Sequence, residues 1–483
     1  MFKLKQPASE GAPKYKARLV VRGFEQNYGT DVLKTFAPTT KFSCLRIIFM
    51  IAASKDWELA HPNIKTAFLN APLSDNVYIN SPEGIEETDL FPKAPYYKLE
   101  KSVYGLKQAP KLWYEHLREN LKKLGFKNSE LDSTIYFDEQ KTIIVLTYVD
   151  DLLITAKSKE KIDNFIKGLK GIYQLTFDME VKMFLGLEIH RKREELRIEV
   201  TQTKYVEEIA QKFNMASASS NNIPILCSDI HKIETESKAE EIKEINKKIP
   251  YRELIGSLIY LSMHTRPDIS FAVGYLARFF QNYDQFHWEM AKKIIRYLQG
   301  SKNYGLAFGG IMKNIQVYSD SDWATDKISR KSVSGFIIRM DENMLSWNSK
   351  LQRTPAASSM EAEMMAAFEA LKEMTFLLNF FDELGIAVES KTHFMDNQSA
   401  IVTIVENKSS NKTKHMDLRY KLCHHFIAKN EIELKYLPTE EMTADILTKA
   451  LSKQLFNLHR KNIVFESRRS VETKQNICCD SKP

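Results

Sequence analysis

Asp150 and Asp151 are adjacent carboxylates in the middle of the run Ile143-Ile144-Val145-Leu146-Thr147-Tyr148-Val149-Asp150-Asp151-Leu152-Leu153-Ile154-Thr155. Apolar and β-branched residues on both sides predict two buried strands with the acids at the hairpin turn between them. A pair of aspartates in a turn is more often simply solvated. Buried strands beneath the pair would instead hold the charges in place, and two fixed carboxylates suit a hard divalent cation such as Mg²⁺, which takes oxygen ligands.

Other acids stand at the ends of short elements. Val317-Tyr318-Ser319-Asp320-Ser321-Asp322-Trp323-Ala324 reads as a strand that ends in carboxylates. Ser358-Ser359-Met360-Glu361-Ala362-Glu363 opens a helix, His393 to Gln398 ends a short strand around Asp396, and Met442 to Lys449 starts a last helix around Asp445. Each of these acids, taken singly, passes for a cap or a surface charge.

The rest of the chain must position these groups. It has 483 residues, 43% hydrophobic and 27% charged, which suits two to four globular domains. A formal charge of +7 favours a polyanionic partner. The five cysteines have no metal-ligand spacing and read as intracellular thiols rather than a disulfide framework. No run approaches the roughly 18 apolar residues of a membrane span, and no signal-peptide core is present, so the expected location is intracellular, cytoplasmic or nuclear, with no membrane partner.

In order, Tyr15 to Phe24 alternates basic and apolar residues, as a strand with a cationic face would. Ser158 to Tyr173 predicts an amphipathic helix that buries Ile162, Phe165, Ile166 and Leu169, with Ser158 as its N-cap. A stripe of Tyr205, Val206, Ile209, Ala210 and Phe213 follows, then a polar linker and a charged run between Ala216 and Pro250. Tyr251 to Gly300 is helical in character, broken at Arg266-Pro267 and capped by Gly300. Arg266, Lys292, Lys293 and Arg296 could track a nucleic-acid backbone, a solvated basic helix face being the alternative.

Several blocks together resemble the reverse transcriptase of copia-type retrotransposons: Thr35-Phe36-Ala37-Pro38, Lys65-Thr66-Ala67-Phe68-Leu69-Asn70, Tyr104-Gly105-Leu106-Lys107-Gln108-Ala109-Pro110 and Tyr148-Val149-Asp150-Asp151, in the family's order and at about its spacing. The resemblance implies a right-hand polymerase fold with Asp150 and Asp151 as metal-binding catalytic residues. It implies that Lys16, Arg18 and Arg22 meet the nucleotide triphosphate and that Phe68 crowds the sugar to exclude a 2′-hydroxyl. Tyr148, Gln108 and Gly186 fall to primer and template, Gly186 within a primer-grip-like Phe184-Leu185-Gly186-Leu187-Glu188. The family's first catalytic aspartate falls on Asn63, and Pro62 precedes it in what should be a central strand. Asp56 and Glu58 lie roughly 16 to 23 Å upstream along an extended strand and are poor substitutes. An amide in place of a bridging carboxylate predicts a polymerisation defect of about three orders of magnitude or more.

The acids at Asp320, Glu363, Asp396 and Asp445 occur in the order of a copia-type RNase H domain, where the resemblance implies that all four hold two Mg²⁺ ions. Asp322 and Glu361 are second choices. Lys414-His415-Met416-Asp417 resembles a further family block, where His415 could help a substrate or a proton transfer, a structural histidine being the alternative, and no shuttle histidine is evident before Asp445. The resemblance covers about residues 1 to 450 and reads as the 3′ part of Pol, beginning inside the fingers. The expected architecture is α/β (α+β): fingers and palm with the start of a thumb over 1–215, linker and helical connection over 216–310, an RNase H-like domain over 311–450 and a basic tail with little to pack over 451–483. The implied function is RNA-directed DNA synthesis with cleavage of RNA in the hybrid, on RNA, DNA, RNA/DNA hybrid and deoxynucleoside triphosphates. The alternatives are an element relic with a dead polymerase and a competent RNase H, and a nucleic-acid binder with neither activity.

Overall fold

The apolar runs flanking Asp150 form antiparallel strands, Ile143–Tyr148 and Asp151–Ala156, with Tyr148 paired to Asp151. Val149 and Asp150 make the two-residue turn, so Asp150 sits in the turn while Asp151 already belongs to the ladder. This arrangement comes from a computed structural model that describes residues 2–5, 14–29, 32, 34–81, 94–236, 249–327, 329–406 and 417–467. Two units are distinguished, Met1–Phe184 with Asn379–Ala387, and Leu185–Leu378 with Val388–Pro483. Both mix helix and sheet, as expected.

In the first unit the hairpin lies inside a six-stranded sheet in the order Leu175–Asp178, Glu58–Ile64, Asp151–Ala156, Ile143–Tyr148, Ile135–Phe137, Lys127–Asn128. The helices Ala109–Lys123 and Lys159–Lys170 cover it, burying Trp113, Leu117, Leu121, Ile162, Phe165, Ile166 and Leu169 with Val145, Leu152 and Ile154 of the hairpin. Each large apolar side chain taken fully out of water contributes about 1.5–3 kcal/mol, so this layer is what fixes the turn. Ser158 stands at the N-cap position in extended geometry, but its side chain accepts no cap hydrogen bond.

The expected strand Tyr15–Phe24 is shorter than its alternation suggests. Only Lys14–Ala17 is strand, and Gly23–Glu25 is a 3₁₀ turn. The cause is docking: Val21 donates its N–H to the Tyr104 carbonyl, and a Cβ on Gly105 would come within 2.0 Å of the Val21 carbonyl oxygen.

In the second unit, the strands Leu187–Lys192, Arg197–Thr201, Tyr304–Gly309 and Phe465–Glu466 lie side by side in that order. The helices Tyr251–His264, Ser270–Ala277 and Gln285–Gly300 belong to the same unit, with the expected break at Arg266-Pro267. Gly300 is the last helical residue rather than a left-handed cap. Its hydrogen makes room for Ser220, whose Cβ would lie 2.9 Å from a Cβ on residue 300. A five-stranded mixed sheet follows in the order Asn343–Leu351, Val333–Met340, Asn314–Asp322, Ser390–Met395, Glu433–Tyr436. Its first three strands are antiparallel neighbours and its last three run parallel. Thr443–Leu447 is a 3₁₀ turn rather than the start of an α-helix.

The tail expected to have little to pack is corrected by Lys453–Ile463, a helix capped by Ser452 that buries Phe456, His459 and Ile463. Residues 237–248, the block Lys414–Met416 with His415, and Cys478-Cys479 lie outside the described residues. Among the described residues no helix is long and apolar enough to cross a membrane.

Candidate functional site

The sheet of the first unit brings Asn63 opposite Asp151 as a cross-strand pair. The Asn63 amide donates to Asp151 Oδ1 at 2.6 Å, and His61 Nε2 lies 3.0 Å from the same oxygen. Asp151 is therefore served by protein groups, one of them the amide at the position where the resemblance expects the first catalytic aspartate. Pro62 acts as expected of a central strand. Ile64 donates its N–H to the Asp150 carbonyl, so Pro62, two residues earlier, faces the same neighbour with no N–H to give. Pairing stops after Ala60↔Ile154 and resumes in the same register at Asn63↔Asp151.

Val149 carries a left-handed φ of 57°, costly for a β-branched residue. Trp113 Nε1 donates to the Val149 carbonyl at 2.7 Å and so holds the turn. Phe68 is half-buried, and its ring meets Tyr104 edge-on at 4.9 Å between centroids. Arg18 lies over the other ring partner: its guanidinium is 5.3 Å from the Tyr104 centroid. Arg18 and Phe68, assigned separately from the sequence, thus meet through Tyr104.

Arg22 is exposed and 3.4 Å from Glu25, and the side chain of Lys16 lies outside the described residues. Gln108 is buried, accepting from Gln26 Nε2 at 3.1 Å and donating to Asp75 Oδ2 at 3.4 Å, so protein groups occupy it. Tyr148 is half-buried beside the turn. Gly186 has a φ of 74°, and the Tyr260 hydroxyl would stand 2.7 Å from a Cβ there, which explains the glycine within the protein itself.

The acids of the second unit converge. Asp320, at the end of the central strand, Glu363, one turn into the long helix Ser359–Leu384, and Asp396, just past its strand, offer oxygens within 4.8 Å of one another. Asp445 stands beside them, near enough to Asp320 for each carboxyl to perturb the other's protonation. The turn that carries it is seated against Gly335, where a Cβ would lie 2.8 Å from Leu447 Cβ and 3.2 Å from the Ala444 carbonyl oxygen.

Burial first, and neighbouring acids second, raise the affinity of the cluster for protons. Glu363 stands well above the usual carboxylate range, and Asp445 is pushed up to about 8. Asp320 is raised by burial and by Asp396, against the pull of Lys449 and Thr448. Lys449 Nζ lies 2.9 Å from Asp445 Oδ2; burial opposes its charge, yet Asp320 and Asp445 raise its pKa. Ser321 donates its N–H and hydroxyl to Glu363 Oε1, each at 2.9 Å, Thr439 donates to Asp396 Oδ2 at 2.9 Å, and Thr448 donates to Asp320. Glu363 Oε2 and Asp445 Oδ1 are buried with no protein donor. Clustered acids with orphaned buried oxygens fit divalent cations, which supply the missing positive charge.

Residues 1–227 match the family described as reverse transcriptase (RNA-dependent DNA polymerase). The chain is 37% identical over 475 residues to the retrovirus-related Pol polyprotein from transposon TNT 1-94 of Nicotiana tabacum, which covers 97% of this chain and 35% of that protein. It is 30% identical over 318 residues to the transposon Ty5-1 protein YCL074W of Saccharomyces cerevisiae, 65% of this chain and 100% of that one. The chain belongs to the copia-type retrotransposon Pol family. It spans about a third of the length of the Pol polyproteins it matches, 31% in the case of transposon RE1 of Arabidopsis thaliana. Among solved structures, LC11-RNase H1 in complex with an RNA/DNA hybrid is similar over 28% of this chain and 94% of that chain, at 19% identity and a TM-score of 0.23.

Set against the copia-type Pol pattern, some side chains stand elsewhere than expected. Glu361, a second-choice acid, accepts the Ala357 N–H at 2.7 Å and tethers the start of its helix. Arg266, expected to be able to track a nucleic-acid backbone, is buried and bidentate on Asp268, at 2.9 and 2.8 Å. Lys292 and Lys293 are paired with Glu289 and Asp229. Sequence reasoning gave no role to Tyr104, His61, Trp113, Ser321, Thr439, Thr448 or Lys449. Tyr104, Ser321, Thr448 and Lys449 sit inside the quoted blocks, which is the one signal that could have found them; the other three are contacts that only folding creates.

Proposed function

We propose that this copia-type Pol chain is a nucleic-acid enzyme whose working centre is the carboxylate cluster of the second unit, cutting the RNA strand of an RNA/DNA hybrid. Its polymerase centre is defective. The observation that carries the reading is the convergence of Asp320, Glu363 and Asp396 on one point beside Asp445, with buried oxygens left for a cation. Asp320, Glu363, Asp396 and Asp445 are the residues to hold two Mg²⁺ ions, which when bound would activate water and steady the departing oxygen. The chain's own part is to aim the acids. Ser321 and Thr439 hold Glu363 and Asp396, Thr448 holds Asp320, and Lys449 balances the charge of Asp445.

In the first unit, Asp150, Asp151 and Phe68 support descent from an RNA-directed DNA polymerase that takes deoxynucleoside triphosphates. Asn63 bonded to Asp151 speaks against much remaining activity, because one charge is lost and one oxygen already has a donor. The deciding experiment incubates the full chain with a hybrid labelled on its RNA strand, with Mg²⁺ and with EDTA, beside the Asp320→Asn variant. Mg²⁺-dependent RNA cleavage by the natural chain alone, leaving 3′-hydroxyl ends and intact DNA, is the expected result. Cleavage by neither chain, or equally by both, refutes the reading.

A further inference from the structure

We propose that the helix Lys453–Ile463 and the loop Ser220–Asn222 form a binding cleft for the sugar–phosphate backbone of a nucleic-acid strand. The proposal rests on the reading that this unit acts on nucleic acid, but not on its cleaving it.

Lys453, Asn457, Arg460 and Lys461 recur at helical spacing and line one stripe of the helix. The other face is buried through Phe456, His459 and Ile463, and the Phe456 ring meets Tyr297 edge-on at 5.7 Å. The stripe faces a cleft of about 370 Å³ whose other wall is Ser220–Asn222 and the end of the helix Gln285–Gly300. Three cations with amides and hydroxyls line it, and no carboxylate does. That is an anion site by composition.

Its back wall is firm. Tyr297 and Tyr304 pack on Arg266, whose charge Asp268 already neutralises, so the net positive charge comes from the helix. Arg460 lies 4.8 Å from the Tyr304 centroid and is thereby oriented rather than left to swing. Tyr304, Arg460 and Lys461 also line a second cavity of about 880 Å³, which Glu195, Asp341, Glu342 and Glu466 line as well, so the first cleft borders a wider space of mixed charge and the cationic stretch is that of the helix stripe. Lys453 to Lys461 spans about 12 Å of helix axis, longer than one phosphate, and a nucleic-acid strand offers one charge per ~3.4 Å of duplex axis. An extended polyanion fits this length better than a single phosphate.

The test reads binding alone, without catalysis. Fluorescence anisotropy of a labelled RNA/DNA hybrid is followed against salt concentration in EDTA for three full-length chains. These are the natural protein, Lys453→Gln/Lys461→Gln, and the charge-matched control Lys313→Gln/Lys372→Gln, with all four positions exposed. The cleft variant should lose about 1.4–1.8 from the slope of log affinity on log salt, two phosphate contacts' worth, while the control keeps its slope. An unchanged slope in the cleft variant, an equal loss in the control, no binding by the natural chain, or displacement of the hybrid by low-millimolar inorganic phosphate would each overturn the proposal. A cleft result as expected, together with no RNA cleavage in Mg²⁺, would sink the nuclease reading and leave the cleft standing.

Discussion

The side-chain amide of Asn63 donates to Asp151 Oδ1 at 2.6 Å across the first sheet, in a pair where two carboxylates would repel. The amide therefore stabilises the metal-free sheet and, on the proposed reading, withholds a charge from the polymerase centre. Asn63→Asp should slightly destabilise the protein in EDTA, regain that stability in Mg²⁺, and extend a primer on an RNA template at least about 10³-fold faster than the natural chain, a difference of ~4 kcal/mol in barrier. Equal extension by both chains would remove Asn63 as the cause of the defect.

Two glutamates on one helix turn make a second contrast. Glu363 lies in the acid cluster, while Glu361 ties down the Ala357 N–H. Glu363→Gln should lower Mg²⁺-dependent RNA cleavage by about 10³-fold, a few kcal/mol of lost charge stabilisation. Glu361→Gln should keep most activity and lower the melting temperature by a few degrees through one weakened tether. Single-turnover cleavage and thermal melts on the same preparations decide it.

The acids also make stability depend on pH. In the folded chain Asp445 keeps its proton up to about 8, whereas unfolding returns it to the ordinary 3.8. The unfolded state binds fewer protons over that window, so metal-free stability should fall as pH rises from about 4 to about 8 and level off above. His393 works oppositely, since burial lowers it to about 3 and its contribution is lost as pH falls below the ordinary 6.5. The window above 6.5 therefore leaves the acids of the cluster, Asp445 together with Glu363 and Asp320. There, Mg²⁺ should raise the melting temperature more at pH 8 than at pH 6.5, and Asp445→Asn should flatten the slope in EDTA.

Arg266 offers a test of burial against exposure. Its guanidinium is bidentate on Asp268 and donates to the Ser301 carbonyl and hydroxyl, and Tyr297 donates to Asp268 as well. Arg266→Ala strands a buried carboxylate and should cost about 3–5 kcal/mol. A variant with unchanged urea stability would place Arg266 at the surface after all.

Much of the site could be read from residue order, because each acid of the second unit ends or opens an element whose apolar pattern is strong. Strand, helix and strand around Asp320, Glu363 and Asp396 form where the pattern puts them. The misjudged parts have another character. Arg266 looks like a backbone-tracking cation because a sequence does not say that Asp268, two residues on, will be buried beside it. Gly300 looks like a cap because the loop holding Ser220 is distant in the chain. The strand from Tyr15 stops early because Gly105, some eighty positions later, draws the backbone into a turn. Local periodicity reports the elements; the partners that redirect them come from elsewhere in the chain.

The Thr448 hydroxyl reaches Asp320 across 128 positions of sequence, and the same turn closes over Gly335. The acid centre is thus among the last parts of its unit able to assemble, both on the ribosome and in a refolding tube, since loop closure must precede the contact that rewards it. A chain interrupted between Leu351 and Asp445 would still contain the strands Asn314–Asp322, Val333–Met340 and Asn343–Leu351, yet never complete the ring of acids. Late closure would let a shortened product fold in part while leaving the acid cluster incomplete.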